Sequence, residues 1–224
     1  MKFNSVATVD DDSAAQEMMA DKIQDLLEAK PVVITGPRLD PDALVTRMRD
    51  QEIDAAIIDY KLTLRGYSEF DGIDFVSKLT LAGIPAVLAT SYPYSEKYIW
   101  CGRNVPAVIK KGSIGRDLRA AVDSAELRSR GYFSVETKPE RTVIRVTSVD
   151  YDEVGLVIPA FSSEQFILVS RSKLEHELAC DVNDDFRFLA EVNIGAKNSD
   201  SIFISNLEKM EFPNDEWIAS LFHS

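Results

Sequence analysis

The sequence predicts an α/β protein in which a doubly wound, five-stranded parallel sheet is followed by a small, mostly-β domain. Five short apolar runs alternate with helix-period segments over residues 1–130. Beyond about residue 140 the rhythm changes to strand-like runs separated by polar, turn-prone residues. Between them, "GYFSVETKPE" carries Gly131 and Pro139, which suit a boundary. The expected organisation is a first domain over 1–130, a linker over 131–140 and a β-rich domain over 141–224.

In order, "SVATV" reads as a strand that ends in "DDD". It leads into "SAAQEMMADKIQDLLEAK", where Met18, Met19, Ile23, Leu26 and Leu27 recur at helical spacing. "PVVITG" is the second strand and "DPDALVTRMRDQ" the second helix, with Asp40 suited to the N-cap and Pro41 to the first helical position. "DAAIIDY" is the third strand, a run of small and branched apolar residues that stops at Asp59. A polar loop, "KLTLRGYSEFDG", precedes the amphipathic helix "IDFVSKLTLAG", which Gly83 should end. "IPAVLAT" is strand four, "SYPYSEKYIWCGRN" a short or irregular helix, "PAVIKK" strand five and "IGRDLRAAVDSAELRSRG" the last helix of the domain.

The second domain reads as strands at "RTVIRVTSVD", "EVGLVIPA", "SEQFILVS", "FRFLAEVNIG" and "DSIFISNLE". A helix at "RSKLEHEL" interrupts them, and a final amphipathic turn or helix is expected at "PNDEWIASLF". The strand pattern suggests a compact antiparallel sheet or a small OB-like or SH3-like barrel, by analogy of pattern alone. Phe161, Phe166, Phe186, Phe188 and Phe203 read as its core positions, and His176 as a helix-surface residue.

The 224-residue chain has a formal net charge of −12, which disfavours a broad electrostatic footprint on nucleic acid or anionic lipid while leaving a local basic patch open. Residues 131–224 hold 17 of the 37 acids but 8 of the 25 bases, so the acidity concentrates in the second domain. No basic recognition helix stands out there. Cys101 and Cys180, far apart, support neither a disulfide framework nor a zinc site and read as plain buried thiols. With no secretory leader and no apolar run approaching ~20 residues, a cytoplasmic protein without a membrane partner is expected.

In an open parallel sheet, ligands and reactions sit at the carboxyl ends of the strands. Asp59 lies at such an end, as do Asp10 and Asp11 after strand one, Thr90 and Ser91 after strand four, and Lys110 and Lys111 after strand five. Carboxylates held together repel one another unless a cation joins them, and Mg²⁺ suits all-oxygen ligands that leave room for water. Beside Mg²⁺, Asp59 could attack a phosphoryl group and form an aspartyl phosphate. The Thr90 hydroxyl and the Lys110 ammonium would then meet the remaining phosphoryl oxygens.

These residues, in this order on successive strands, resemble the receiver domain of two-component response regulators over roughly residues 3–128. The resemblance implies a flavodoxin-like fold, a metal held by Asp10, Asp11 and Asp59 with the backbone carbonyl of Lys61, and phosphorylation of Asp59. It also implies that Thr90 and Lys110 contact the phosphoryl group, Lys110 being preferred to Lys111 by register. The implied donor is a sensor histidine kinase or phosphotransfer protein. The protein would be a phosphoacceptor in a signalling relay, assisting its own phosphoryl transfer without being an enzyme. Its output would be a phosphorylation-dependent homodimer or a protein target of the second domain, with nucleic acid not expected.

Two departures from the receiver pattern stand out. The loop after Asp59 is longer and lacks a proline; it keeps Asp71 and Gly72 and adds Arg65, Tyr67 and Phe70. Ala107 stands where many receivers place an aromatic before the strand-five lysine, so Trp100 or Tyr98 is the alternative for that role. A haloacid dehalogenase-like phosphohydrolase is a second reading, although it needs an acid two residues after its aspartate and Lys61 stands there. A receiver-shaped scaffold that is never phosphorylated is a third.

Overall fold

Branched apolar runs form the first sheet: β1 (Ser5–Val9), β2 (Lys30–Ile34), β3 (Ala55–Asp59), β4 (Ala86–Thr90) and β5 (Val108–Lys110). All four pairings are parallel and the strand order is β2-β1-β3-β4-β5. The structure, a computed structural model, describes residues 2–36, 39–63, 66–91 and 96–210. Every residue of β3 and β4 is buried, which is why these central strands read as continuous apolar runs and not as an alternating pattern.

Helices cover both faces. On one, α1 (Ser13–Leu27) and α5 (Ile114–Ser129) pack Ile23, Leu27, Leu118 and Val122 against Ile57 and Val87. On the other, α2 (Pro41–Asp50) and α3 (Gly72–Leu81) pack Leu44, Met48, Phe75 and Leu79 against Ile58 and Leu88. Successive residues of β3 and β4 thus serve opposite cores, as a pleated strand requires. The buried stripe of α1 is narrower than its sequence suggests, since Met18 points outward. Asp12 caps α1 by accepting from the Ala14 and Ala15 amides, and Asp40 caps α2 with Pro41 at its start. Gly83, at φ +77°, ends α3 in the left-handed conformation that glycine adopts without penalty. The irregular fourth helix is α4 (Glu96–Cys101), followed by a 3₁₀ turn over Gly102–Asn104.

The long loop after β3 is tied down. Its Tyr67 hydroxyl donates to the Ile34 carbonyl at 2.5 Å, and the Leu39 amide donates to the Tyr67 carbonyl. Ser68 forms an isolated bridge with Leu39, and its hydroxyl donates to the Leu39 carbonyl. Arg65 lies outside the described residues.

The chain divides into two compact units, Met1–Lys138 with Gly195–Phe203, and Pro139–Ile194 with Ile204–Ser224. The second contains β6 (Glu140–Val149), β7 (Glu153–Ile158), β8 (Ser162–Ser170), α6 (Arg171–Leu178), β9 (Arg187–Val192) and β10 (Ile204–Lys209). Its strands pair antiparallel in the order β10-β9-β6-β7-β8. Among the described residues no pairing joins β10 to β8, so of the two expected forms, antiparallel sheet or small barrel, the sheet is the one formed. Leu174 and Leu178 of α6 are buried, and the helix packs against β7, β8 and β10, covering apolar positions that a closed barrel would hide within itself.

Phe188 is buried as expected; Phe203 is buried too, but in the stretch Gly195–Phe203 that is grouped with the first unit, and Phe166 is 63% exposed. The alternation in β8 turns Ile167 and Val169 inward, which leaves Phe166 and Leu168 on the outer face. His176 lies exposed on α6, and both cysteines are half-buried and not joined in a disulfide. The helix expected at "PNDEWIASLF" lies outside the described residues. No helix among the described residues is long and apolar enough to cross a membrane.

Candidate functional site

β1 and β3 are neighbours although β2 intervenes in sequence, and this reversal of strand order opens a crevice at their carboxyl ends. Val9 pairs with Ile58, so the next residues, Asp10 and Asp59, leave the sheet side by side. Asp11 follows in the loop, and carboxylate oxygens of Asp10, Asp11 and Asp59 all lie within 4.8 Å of one another. Asp10 and Asp59 are buried and Asp11 is partly open.

The two buried carboxylates are held by named contacts. Asp10 Oδ1 accepts from the Asp12 amide at 3.0 Å, and Asp59 Oδ2 accepts from the Lys61 amide at 3.1 Å. Lys111 Nζ lies 2.8 Å from Asp10 Oδ2 and 2.8 Å from Asp59 Oδ1, bridging the two buried acids. Burial pushes the Asp59 carboxyl up and the charge of Asp10 adds to this, outweighing the opposite pull of Lys111 and the Lys61 amide. For Lys111, burial works against the ammonium. The hydrogen bonds and charges of Asp10 and Asp59 overcome it and hold this lysine above its ordinary range.

The lysine that reaches the acids is therefore Lys111, and the expectation for Lys110 is corrected. Lys110 is the last residue of β5 and its side chain is exposed, whereas the 3₁₀ turn that begins at Lys111 swings the next side chain over the carboxylates. The doubled lysine was visible in the sequence; the turn that selects between the two was not. Thr90 is buried at the end of β4, one residue beyond the Ala89 that pairs with Asp59. For Lys61 the structure gives the amide contact to Asp59 and a 3.7 Å ion pair of its ammonium with Asp71.

Sequence reasoning missed two supporting residues, Gln16 and Lys97. Gln16, buried on α1, donates to the Asp10 carbonyl at 2.6 Å and the Ile34 carbonyl at 3.1 Å, fixing the β1 and β2 ends together. Lys97 at the start of α4 meets Asp74 at 2.6 Å and Asp71 at 3.6 Å, joining α4 to the capping box of α3. Gly72 is required by contact, since a Cβ there would lie 1.8 Å from the Asp59 carbonyl oxygen. Tyr67, like Gly72, was marked by the sequence. It lines a recess of about 260 Å³ with Asp10, Asp11, Ser13 and Thr35, and its ring would meet a Cβ on Gly36 at 2.7 Å.

The donor set fits a hard divalent cation, because three carboxylates converge closely enough to share one ion and one of them remains open to solvent. The bridging ammonium of Lys111 shows that the cluster demands positive charge.

No protein-family model matches the sequence, and no curated protein does. Solved structures are similar to part of this chain at low identity. The RcsB response regulator of Salmonella typhimurium is 15% identical, with 61% of this chain and 65% of that one covered and a TM-score of 0.43. A LuxR-family two-component response regulator from Aurantimonas sp. is 14% identical over 55% of this chain and 84% of that one, with a TM-score of 0.44. A protein described as pilus assembly-related from Burkholderia pseudomallei is 15% identical over 55% and 91%, with a TM-score of 0.42.

Proposed function

We propose that this chain is a response regulator whose receiver unit is phosphorylated on Asp59 and signals through its β-rich second unit. The observation that carries this reading is the convergence of Asp10, Asp11 and Asp59 at the strand-order reversal, with Lys111 2.8 Å from two of them. A metal-supported acyl phosphate needs such a set: a buried nucleophilic carboxylate, two further acids and a cation. Asp10, Asp11 and Asp59, with the Lys61 carbonyl, would hold Mg²⁺, which when bound neutralises the carboxylates and the phosphoryl oxygens.

In the proposed transfer, an ionised Asp59 Oδ attacks phosphorus as the bond from phosphorus to the donor breaks. That bond is P–N in a phosphohistidine of a kinase or phosphotransfer protein and P–O in acetyl phosphate, and its electron pair leaves with the donor. Lys111, already hydrogen-bonded to Asp59, neutralises a phosphoryl oxygen, and Thr90 approaches another from the end of β4. The product adds about 1.5 to 2 negative charges at this spot and biases an equilibrium between two arrangements of the surrounding loops.

Gln16 and Asp12 act earlier, holding Asp10 in place by hydrogen bonds that do not change during transfer. The dehalogenase-like reading lacks its acid, since Lys61 occupies that position and gives Asp59 an amide instead. Incubation with Mg²⁺ and acetyl phosphate is expected to add one phosphoryl mass to the wild type and none to Asp59→Asn or to a chelator-treated sample. Equal incorporation in wild type and variant would remove Asp59 from this role.

A further inference from the structure

The second unit contains six lysines and arginines outside the stretches assigned to the first. Four are engaged: Arg141 with Glu208, Arg171 with Glu175, Lys173 with Glu177, and Lys209 with the Ala179 carbonyl. The remaining two, Arg145 and Arg187, make no ion pair or side-chain hydrogen bond among the described residues. They are direct cross-strand partners on β6 and β9. Like charges set opposite each other destabilise a sheet, and in a unit rich in acids a neutralising neighbour would be easy to supply.

The register extends this pair into a row. Arg145 pairs with Val157 on β7, and Val157 pairs with Phe166 on β8, so Phe166, Val157, Arg145 and Arg187 lie in one line across the sheet, with Val157 itself buried between exposed neighbours. Phe166 is 63% exposed and Leu168 beside it 48%, and both arginines are exposed. The face therefore presents an apolar anchor at the β8 edge and, two to three strands away, two unpaired guanidinium groups. At ~4.8 Å per strand the separation is about 10 to 14 Å.

We infer that this row is a docking surface for an acidic peptide segment of a partner protein, with an apolar side chain on Phe166 and Leu168 and a pair of carboxylates on Arg145 and Arg187. Guanidinium groups favour forked hydrogen bonds to carboxylates, and an exposed aromatic beside arginine is the usual composition of an interface anchor. An extended peptide crossing the row needs its apolar residue about three to four positions from its acids, at ~3.3 Å per residue. Two cations in a strongly acidic unit give little counterion release, which favours a protein over a polynucleotide. This names the partner class of the output unit and so rests on the response-regulator reading.

The test uses the full chain, with and without Mg²⁺ and acetyl phosphate, and a fluorescein-labelled peptide carrying a leucine about four residues before a Glu-Glu pair. A control peptide has lysines for the glutamates, and a labelled single-stranded oligonucleotide is titrated in parallel at about 150 mM salt. The acidic peptide should bind with a sub-millimolar Kd, weakened about tenfold by Arg145→Ala, by Arg187→Ala and by Phe166→Ala. No binding of the acidic peptide in either state, binding unchanged in the variants, or oligonucleotide binding that the arginine variants abolish would each overturn the inference. Arg187→Glu should abolish peptide binding yet raise the melting temperature by about 4 °C, by pairing with Arg145. A lowered melting temperature would contradict the claim that the pair is unsatisfied. Asp59 labelling, read by mass in the same samples, separates failure of the docking surface from failure of the receiver reading.

Discussion

At the residue scale, the site turns on which lysine meets two buried carboxylates. Lys111 bridges Asp10 and Asp59 at 2.8 Å each, while Lys110 faces outward one position earlier. Lys111→Met should leave both acids uncompensated, costing about 2 kcal/mol of stability in metal-free buffer and lowering the rate of Asp59 labelling about 100-fold. Lys110→Met should change stability by less than about 0.5 kcal/mol and leave labelling near wild type. Thermal melts and labelling time courses on the two variants decide between the neighbours. The carboxylates were legible in the sequence because each follows an apolar strand directly, and strand ends are where a parallel sheet places its chemistry. The lysine was not, because a 3₁₀ turn at Lys111 redirects the chain and strand periodicity stops applying there. Gln16 was hidden for a different reason: a polar residue on the buried face of a helix looks the same in sequence whether it holds backbone carbonyls or is a misfit.

At the scale of elements, alternating apolar runs and helix-period segments placed all five strands of the first sheet and their covering helices, and Asp40 and Pro41 marked the start of α2. What the sequence left open was the loop between β3 and α3, whose course depends on long-range contacts. Tyr67 anchors it to the end of β2 and Gly72 lets α3 begin against the backbone of Asp59. Gly72→Ala should cost about 3 kcal/mol, because a Cβ would meet backbone that cannot yield cheaply, and denaturant unfolding would register this. Tyr67→Phe should cost about 1 kcal/mol at neutral pH through loss of the hydrogen bond to Ile34. Burial pushes the Tyr67 hydroxyl from 10.0 up to about 12. Its contribution is therefore complete below pH 10 and fades as pH rises from 10 to 12, because the unfolded chain ionises first. The stability difference between wild type and Tyr67→Phe should shrink over that window and stay constant below it.

At the scale of the whole molecule, two units of different construction share one chain; the sequence marks a change of periodicity near Gly131 to Pro139, but nothing in it marks Gly195–Phe203 as grouped with the first unit. The open arrangement of the second sheet was less visible, because strand lengths and turns do not reveal whether the first and last strands pair or a helix covers the apolar face instead. Phe166 shows the same limit: its type suggested a core position, but its register puts it on the outer face. The proposed division of labour assigns chemistry to the first unit and recognition to the second, so everything downstream depends on a covalent event at one carboxylate. Reduction with tritiated borohydride tests that event most directly, because it converts an aspartyl phosphate to homoserine and leaves a free carboxylate untouched. After incubation with Mg²⁺ and acetyl phosphate, peptide mapping should find the label at position 59 alone, and none when Mg²⁺ is chelated. Label at another acid, or at position 59 without phosphodonor, would contradict the account.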